Sequence, residues 1–382
     1  MKDPLKETSG VKSTKVKVES PGRINLIGEH TDYNKGFVLP TAIDKKIHFE
    51  LEKNGELTRC TVYSETYKEG FDFDINLLEK NEISWRNYIL GVVDEIQKKG
   101  KKLEGFDCRL KSELPIGAGI SSSAALECGL AVGLNELFCL EFSKKEIAQL
   151  SQAAENNFVG SNCGIMDQYA SVMSKKDHLI LLDCLTLETR YIPADLKKCK
   201  LLLVNTKVSH NLAESEYNNR RKQCEQALEI LQHKFADVET LRDVTFKKLE
   251  SAKNSLSEVQ YNRVLYVLQE NQRVLKAVDY ITASELKKFG ELMYQSHYGL
   301  RDLYEVSCEE LDFLVEFSEG KDFIYGSRMM GGGFGGCTIN LIEEKYIEDF
   351  SKDVSTAYKK KFGIVPEIIS VLPSAGTVVK QE

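Results

Sequence analysis

Residues 114–138 read "LPIGAGISSSAALECGLAVGLNELF", and the parsing of that run settles the fold class. Gly117 and Gly119 loosen the backbone around Ala118 and Ile120. Ser121, Ser122 and Ser123 add three hydroxyls, and small alanines then open a helix. Leu126, Leu130, Leu134 and Leu137 recur at helical spacing, so the turn feeds a packed helix. Successive backbone N–H groups at such a helix start form an anion nest, and a polyphosphate suits it. The run is no G-x-x-x-x-G-K-[ST] loop, and the chain lacks the signature set of protein kinases. On this segment alone a plain loop-to-helix junction is the alternative.

Three further stretches carry chemistry. "PGRINLIGEHTDYNKG" (21–36) crowds Arg23, Glu29, His30, Asp32 and Tyr33 beside a turn, yet Ile24, Leu26 and Ile27 show that it packs. "NCGIMDQ" (162–168) sets Asp167 in apolar surroundings, where a carboxylate is a cap, a hydrogen-bonded core residue or a general base. "GGGFGG" (331–336) exposes backbone to close approach by a ligand or another segment. The neighbouring Met329, Met330 and Phe334 argue against a loose surface loop.

The 382 residues are enough for two domains, with a boundary expected near residue 190 (1–190 and 191–382). A net charge of −7 argues against nucleic acid or an anionic membrane as the main partner. No apolar run reaches the ~18 residues of a membrane span. The first twenty residues lack the apolar centre of a signal peptide and read as a short frayed lead-in. Ten scattered cysteines without a C-x-x-C pair fit reduced thiols, and a cytoplasmic location is expected.

Strands are expected at 14–20, 45–52, 71–75, 105–114, 178–183 and 199–206, and a last one at 367–373. A helix over 143–158 should open on a capping box, Ser143 with Glu146. From about Asn211 to Glu319 the chain reads as mostly helical.

Together these stretches resemble the galactokinase family. "GRINLIGEHTDYN" resembles its signature, and "LPIGAGISSSAA" and "GGGFGG" resemble the second and third motifs of the wider galacto-, homoserine, mevalonate and phosphomevalonate kinase superfamily. "NFVGSNCGIMDQYASVMSKKDHLILLDC" and "SEYNNRRKQCE" (215–225) are similar to that family as well. The resemblance implies an α+β, two-domain kinase fold: an N-terminal domain on a mixed sheet, a C-terminal α/β domain and the active site between them. It implies ATP-dependent phosphorylation of the C1 hydroxyl of D-galactose, the first committed step of galactose catabolism, with ATP and Mg²⁺ as cofactors.

Carried over by position, it makes Asp167 the base and Arg23 its partner. Glu29, His30, Thr31, Asp32, Gly164 and Tyr217 would bind the sugar. Gly117, Ala118, Gly119, Ile120, Ser121, Ser122 and Ser123 would wrap the phosphates, with Ser64 reaching the nucleotide. Ser123 and Glu155 would hold Mg²⁺. An N-acetylgalactosamine kinase or a catalytically silent galactose sensor of the same fold are the competing readings. The intact Ser123-Ala124-Ala125 step favours the enzyme over the sensor.

Overall fold

The structure is a computed structural model that describes residues 14–115, 117–209 and 213–380. The lead-in before Thr14, Ile116 of the Gly-rich run and the expected helix start at Asn211 lie outside those residues.

The chain begins with β1 (Lys15–Asn25), β2 (Phe37–Val38), β3 (Pro40–Lys53), β4 (Arg59–Ser64) and β5 (Glu69–Asp74). Then come α1 (Ser84–Lys98), β6 (Phe106–Ser112), α2 (Ser122–Leu137), α3 (Lys144–Ala153) and α4 (Met166–Met173). β7 (His178–Asp183), β8 (Thr189–Pro193) and β9 (Cys199–Ser209) lead into a helical stretch. It comprises α5 (Ala213–Lys234), α6 (Phe246–Ser251), α7 (Glu258–Thr282), α8 (Leu286–Gly299) and α9 (Glu309–Ser318). β10 (Ile324–Met329), β11 (Gly335–Glu343), α10 (Ile347–Phe362), β12 (Glu367–Val371), β13 (Pro373–Ser374) and β14 (Val378–Lys380) follow.

One sheet runs β14-β1-β3-β6-β4-β5, with β13 added beside β3. Its β4–β6 pair is parallel and the others are antiparallel, so the sheet is mixed. A second, antiparallel sheet runs β10-β11-β9-β12, and β2, β7 and β8 form a third. The reading of 367–373 as the last strand falls short. β12 ends at Val371, and two short strands then return to the first sheet. They are too brief to show a period.

α2 packs across β1 and β3. Two of its glycines explain how: a Cβ on Gly129 would sit 2.2 Å from the Phe49 ring, and one on Gly133 2.6 Å from Leu51. The bare helix face lets the sheet approach, and it draws the turn at residues 117–121 onto β1. The first strand does not stop at Pro21-Gly22, as its alternation suggests, but passes through them to Asn25. Its register with β3 shifts between Pro21 and Arg23, a bulge that bends the strand. Beyond the bulge, the Arg23 N–H donates to the Ile120 carbonyl at 3.0 Å. Sequence motifs 97 positions apart therefore meet.

Candidate active site

A cavity of about 350 Å³ opens where the signature stretch, the Asp167 segment and the 331–336 turn converge. Arg23, Glu29, His30, Asp32, Glu155, Gly164, Asp167 and Tyr217 line it, together with Gly331, Gly332 and Phe334 of the Gly-rich turn. Thr31, Ser64 and the Gly-rich run from Gly117 to Ser123 are not among its lining residues. The Thr31 hydroxyl lies 2.8 Å from the Gly28 carbonyl and 2.7 Å from that of Phe37, and so closes the signature turn. Ser64 is fully buried at the end of β4, its hydroxyl accepting from the Tyr67 N–H.

Arg23 and Asp167 form the centre. The guanidinium donates from Nε to Asp167 Oδ1 at 2.7 Å and from Nη2 to Oδ2 at 2.6 Å, a bidentate fork. Its Nη1 donates to the Gly119 carbonyl at 2.7 Å. Burial alone would weaken the Arg23 charge, but Asp167, Glu29 and Asp32 more than offset it and raise its pKa. Ser121 sits in the left-handed region (φ 56°), and its hydroxyl donates to Asp167 Oδ2. No side chain caps the start of α2 at Ser121. The Gly-rich run thus touches the carboxylate through one residue and presents an uncapped helix N-terminus beside it.

The expected helix over 143–158 opens on the capping box but ends as α3 at Ala153, followed by a π-helical turn, Ala154–Val159. The wide turn carries Glu155, which is 8% exposed, into the site. Burial, then the Asp167 charge, push its carboxyl up to about 7, and Ser123 hydrogen-bonds to it. Gln168, next to Asp167, donates to Glu155 at 2.7 Å and to the fully buried Glu127 at 3.3 Å.

Asp32 and Gly164 fit against each other so closely that a Cβ on Gly164 would lie 1.9 Å from Asp32 Oδ2. Burial, reinforced by Asp167, raises the Asp32 carboxyl to about 7, although the N–H groups of Tyr33 and Met166 oppose the shift. The folded protein therefore holds this proton more tightly than the unfolded chain, whose ordinary value is 3.8. The resulting stabilisation is complete below the unfolded value and is lost as pH rises through about 7. The sugar-free protein should melt at falling temperature as pH rises from about 4 to about 7 and level off above that, and Asp32→Asn should flatten the decline. Parallel melting curves for the two proteins would contradict the burial of this charge.

Several contributors escaped the sequence reading. Arg328, fully buried in β10, donates to the carbonyls of Asn25 and Leu26 and to Glu29 Oε1 at 2.8 Å. The Gly331 N–H reaches the same Glu29 oxygen at 2.9 Å. Glu270 on α7 accepts from the Gly28 N–H, Ser296 and Arg273. A lone cation in the apolar run "IYGSRMM" was the available signal for Arg328. Glu270 sits in the polar run "QENQR" of a long helix and gave none.

The comparisons with known proteins agree with this geometry. The family model for the GHMP kinases N terminal domain matches residues 87–175, and that for the GHMP kinases C terminal matches 277–360. A mevalonate kinase of Methanococcus jannaschii shares the fold at TM-score 0.63 and 18% identity, covering 94% of this chain and 98% of that one. The fold is that of a GHMP kinase. The galactokinase galactose-binding signature matches residues 6–53. Galactokinase of Thermosipho africanus is 45% identical over 94% of this chain and 99% of its own length. That of Thermotoga maritima is 42% identical over 91% and 95%. The crystal structure of Lactococcus lactis galactokinase complexed with galactose matches at TM-score 0.92 and 33% identity, covering 96% of this chain and 95% of that one. The chain belongs to the galactokinase family.

Proposed function

We propose that this enzyme, acting with Mg²⁺, transfers the γ-phosphoryl group of ATP to the C1 hydroxyl of D-galactose at this cavity. The observation that carries the reading is the Arg23 fork, which ties the Asp167 carboxylate and the Gly119 carbonyl of the Gly-rich run to one cation. Asp167 takes the C1 hydroxyl proton as the new O–P bond forms and the bond to ADP breaks, then releases that proton to water. Arg23 keeps positive charge beside the carboxylate and the transferring group, where such reactions need it. The N–H groups from Gly117 to Ser123 hold phosphate oxygens, and Glu29, His30, Asp32, Gly164 and Tyr217 form the sugar wall.

Ser123 and Glu155 offer hard oxygen ligands side by side, which fits Mg²⁺. Among the described residues no three His, Cys, Asp or Glu side chains gather to hold a metal. That also fits an ion that takes one or two protein ligands and leaves the rest to phosphates and water. Bound there, Mg²⁺ would neutralise phosphate charge. Glu155→Gln and Ser123→Ala should each raise the Mg²⁺ needed for half-maximal rate, by at least the ~10-fold typical of losing even an outer partner. Unchanged Mg²⁺ titrations in both would leave Glu155 as a partner of Gln168 only.

A division near residue 190 into two domains, with the cavity between them, belongs to the same proposal, as does a cytoplasmic location. All ten thiols are unpaired, and none of the described helices is long and apolar enough to cross a membrane.

A further inference from the structure

The signature tyrosine and the "SEYNNRRKQCE" segment meet in a feature that the phosphoryl-transfer chemistry leaves unexplained. His30 is 4% exposed, with rings on three sides: Tyr304 at 4.9 Å, Tyr217 at 5.3 Å and Tyr33 at 5.8 Å between centroids. Its Nε2 lies 3.1 Å from the Gly332 carbonyl and its Nδ1 2.8 Å from the Tyr33 hydroxyl. The Tyr33 hydroxyl is 2.9 Å from that of Tyr304, which is 3.1 Å from the Cys224 thiol. Cys224 and Tyr304 are buried.

The donors in this series can be assigned from one end. A carbonyl only accepts, so Nε2 carries the hydrogen that points to Gly332. Burial, with Arg220, Arg328 and Arg263 nearby, takes the imidazole pKa down to about 3, so the ring is neutral and Nδ1 is a bare acceptor. Tyr33 must donate to it. The Tyr33 oxygen then accepts from Tyr304, whose own oxygen accepts from the Cys224 S–H. Burial raises the Cys224 thiol to about 11, which keeps that hydrogen in place.

We propose that Cys224, Tyr304 and Tyr33 are positioning residues, a one-way hydrogen-bond chain that fixes His30 as its Nε2–H tautomer and so keeps a donor on the Gly332 side of the sugar cavity. Reversing any link sets two lone pairs or two hydrogens against each other in a buried place, so the chain has one stable direction. The Cys224 S–H is the first donor of the chain, and the Asn34 side chain hydrogen-bonds to the same sulfur. The proposal rests on the reading of this cavity as the sugar site.

The test is the His30 tautomer, read from long-range ¹H–¹⁵N couplings in the full chain carrying ¹⁵N-labelled histidine, with His30→Gln used to assign the signal. Without sugar, wild type should show a single neutral Nε2–H form. Tyr33→Phe leaves Nδ1 without a donor. It should give mixed tautomers and a galactose KM raised about tenfold, with kcat within about threefold, the scale of one unpaired buried acceptor. Cys224→Ala should move both readouts the same way, and Cys224→Ser, which keeps a donor, should restore both to within about twofold. An Nδ1–H form in wild type overturns the proposal even if Tyr33→Phe does not fold. So does a Cys224→Ala protein with the tautomer and KM of wild type. A His30 signal unmoved by saturating galactose would instead overturn the sugar-site reading, because the sugar-free tautomer is measured independently.

Discussion

Asp167→Asn is expected to lower kcat by ~10²–10⁴, the range for losing a positioned acid–base group, while galactose still binds. The amide has the shape of the carboxylate but not its hydrogen-bonding. Whichever way it is turned, its NH₂ meets an Arg23 N–H, because Nε holds one oxygen and Nη2 the other. One arm of the fork is lost and Arg23 is left without its partner charge. A stability loss of about 1–3 kcal/mol should accompany the kinetic effect. The orphaned donor belongs to Arg23, whose side chain is 5% exposed, so the loss should fall toward the upper end of that range. The decisive measurement is therefore kcat alongside calorimetric galactose affinity, both taken well below the melting temperature. A kcat loss under tenfold would demote Asp167 from base to the anchor of Arg23. A collapse of galactose binding with kcat retained would place it in the sugar wall instead.

What was legible in the sequence was chemistry written locally. The Gly-rich run, the signature turn and the Asp167 segment each held their polar groups within about a dozen residues, and the capping box at Ser143 was legible from two positions. Legibility ended where a residue acquires its role from a partner far along the chain. Arg328 and Glu29 are 299 positions apart, and Gly28 and Glu270 are 242 apart. No window on either partner reveals the pair. The π-helical turn at Ala154–Val159 was hidden for a different reason. Helical periodicity over 143–158 fits an α-helix well enough that one widened turn leaves no trace, although that turn carries Glu155 inward. The bulge at Pro21-Gly22 was visible only as a break in alternation, and its effect, Arg23 beside Ile120, depends on α2 packing.

The choice between galactose and glucose should depend on Asp32. The two sugars differ only in the direction of the C4 hydroxyl, so discrimination needs an acceptor that cannot follow the misplaced group. Asp32 meets that condition. Its carboxylate is fixed by the N–H groups of Tyr33 and Met166 and is pressed against Gly164, with no room for even a methyl group between them. An equatorial hydroxyl would leave a buried carboxylate short of a donor while meeting a wall that cannot retreat. Sites built to pair with a given hydroxyl reject analogues lacking it by about 10⁴–10⁵ in kcat/KM. An epimer moves the group instead of deleting it, and water can recover part of the loss, so at least ~10³ in favour of galactose is expected. Asp32→Ala should depress the galactose rate sharply and scarcely alter the already poor glucose rate, so that the ratio collapses. Gly164 remains free of side-chain atoms in that variant, and the space left by the carboxylate admits water that serves either epimer. The measurement is kcat/KM for both sugars, in wild type and variant, at saturating MgATP. Wild type acting on glucose within tenfold of galactose, or a variant that keeps the wild-type ratio, would remove Asp32 from the role of reading the axial hydroxyl and move that role to Tyr217 or Glu29 on the same wall.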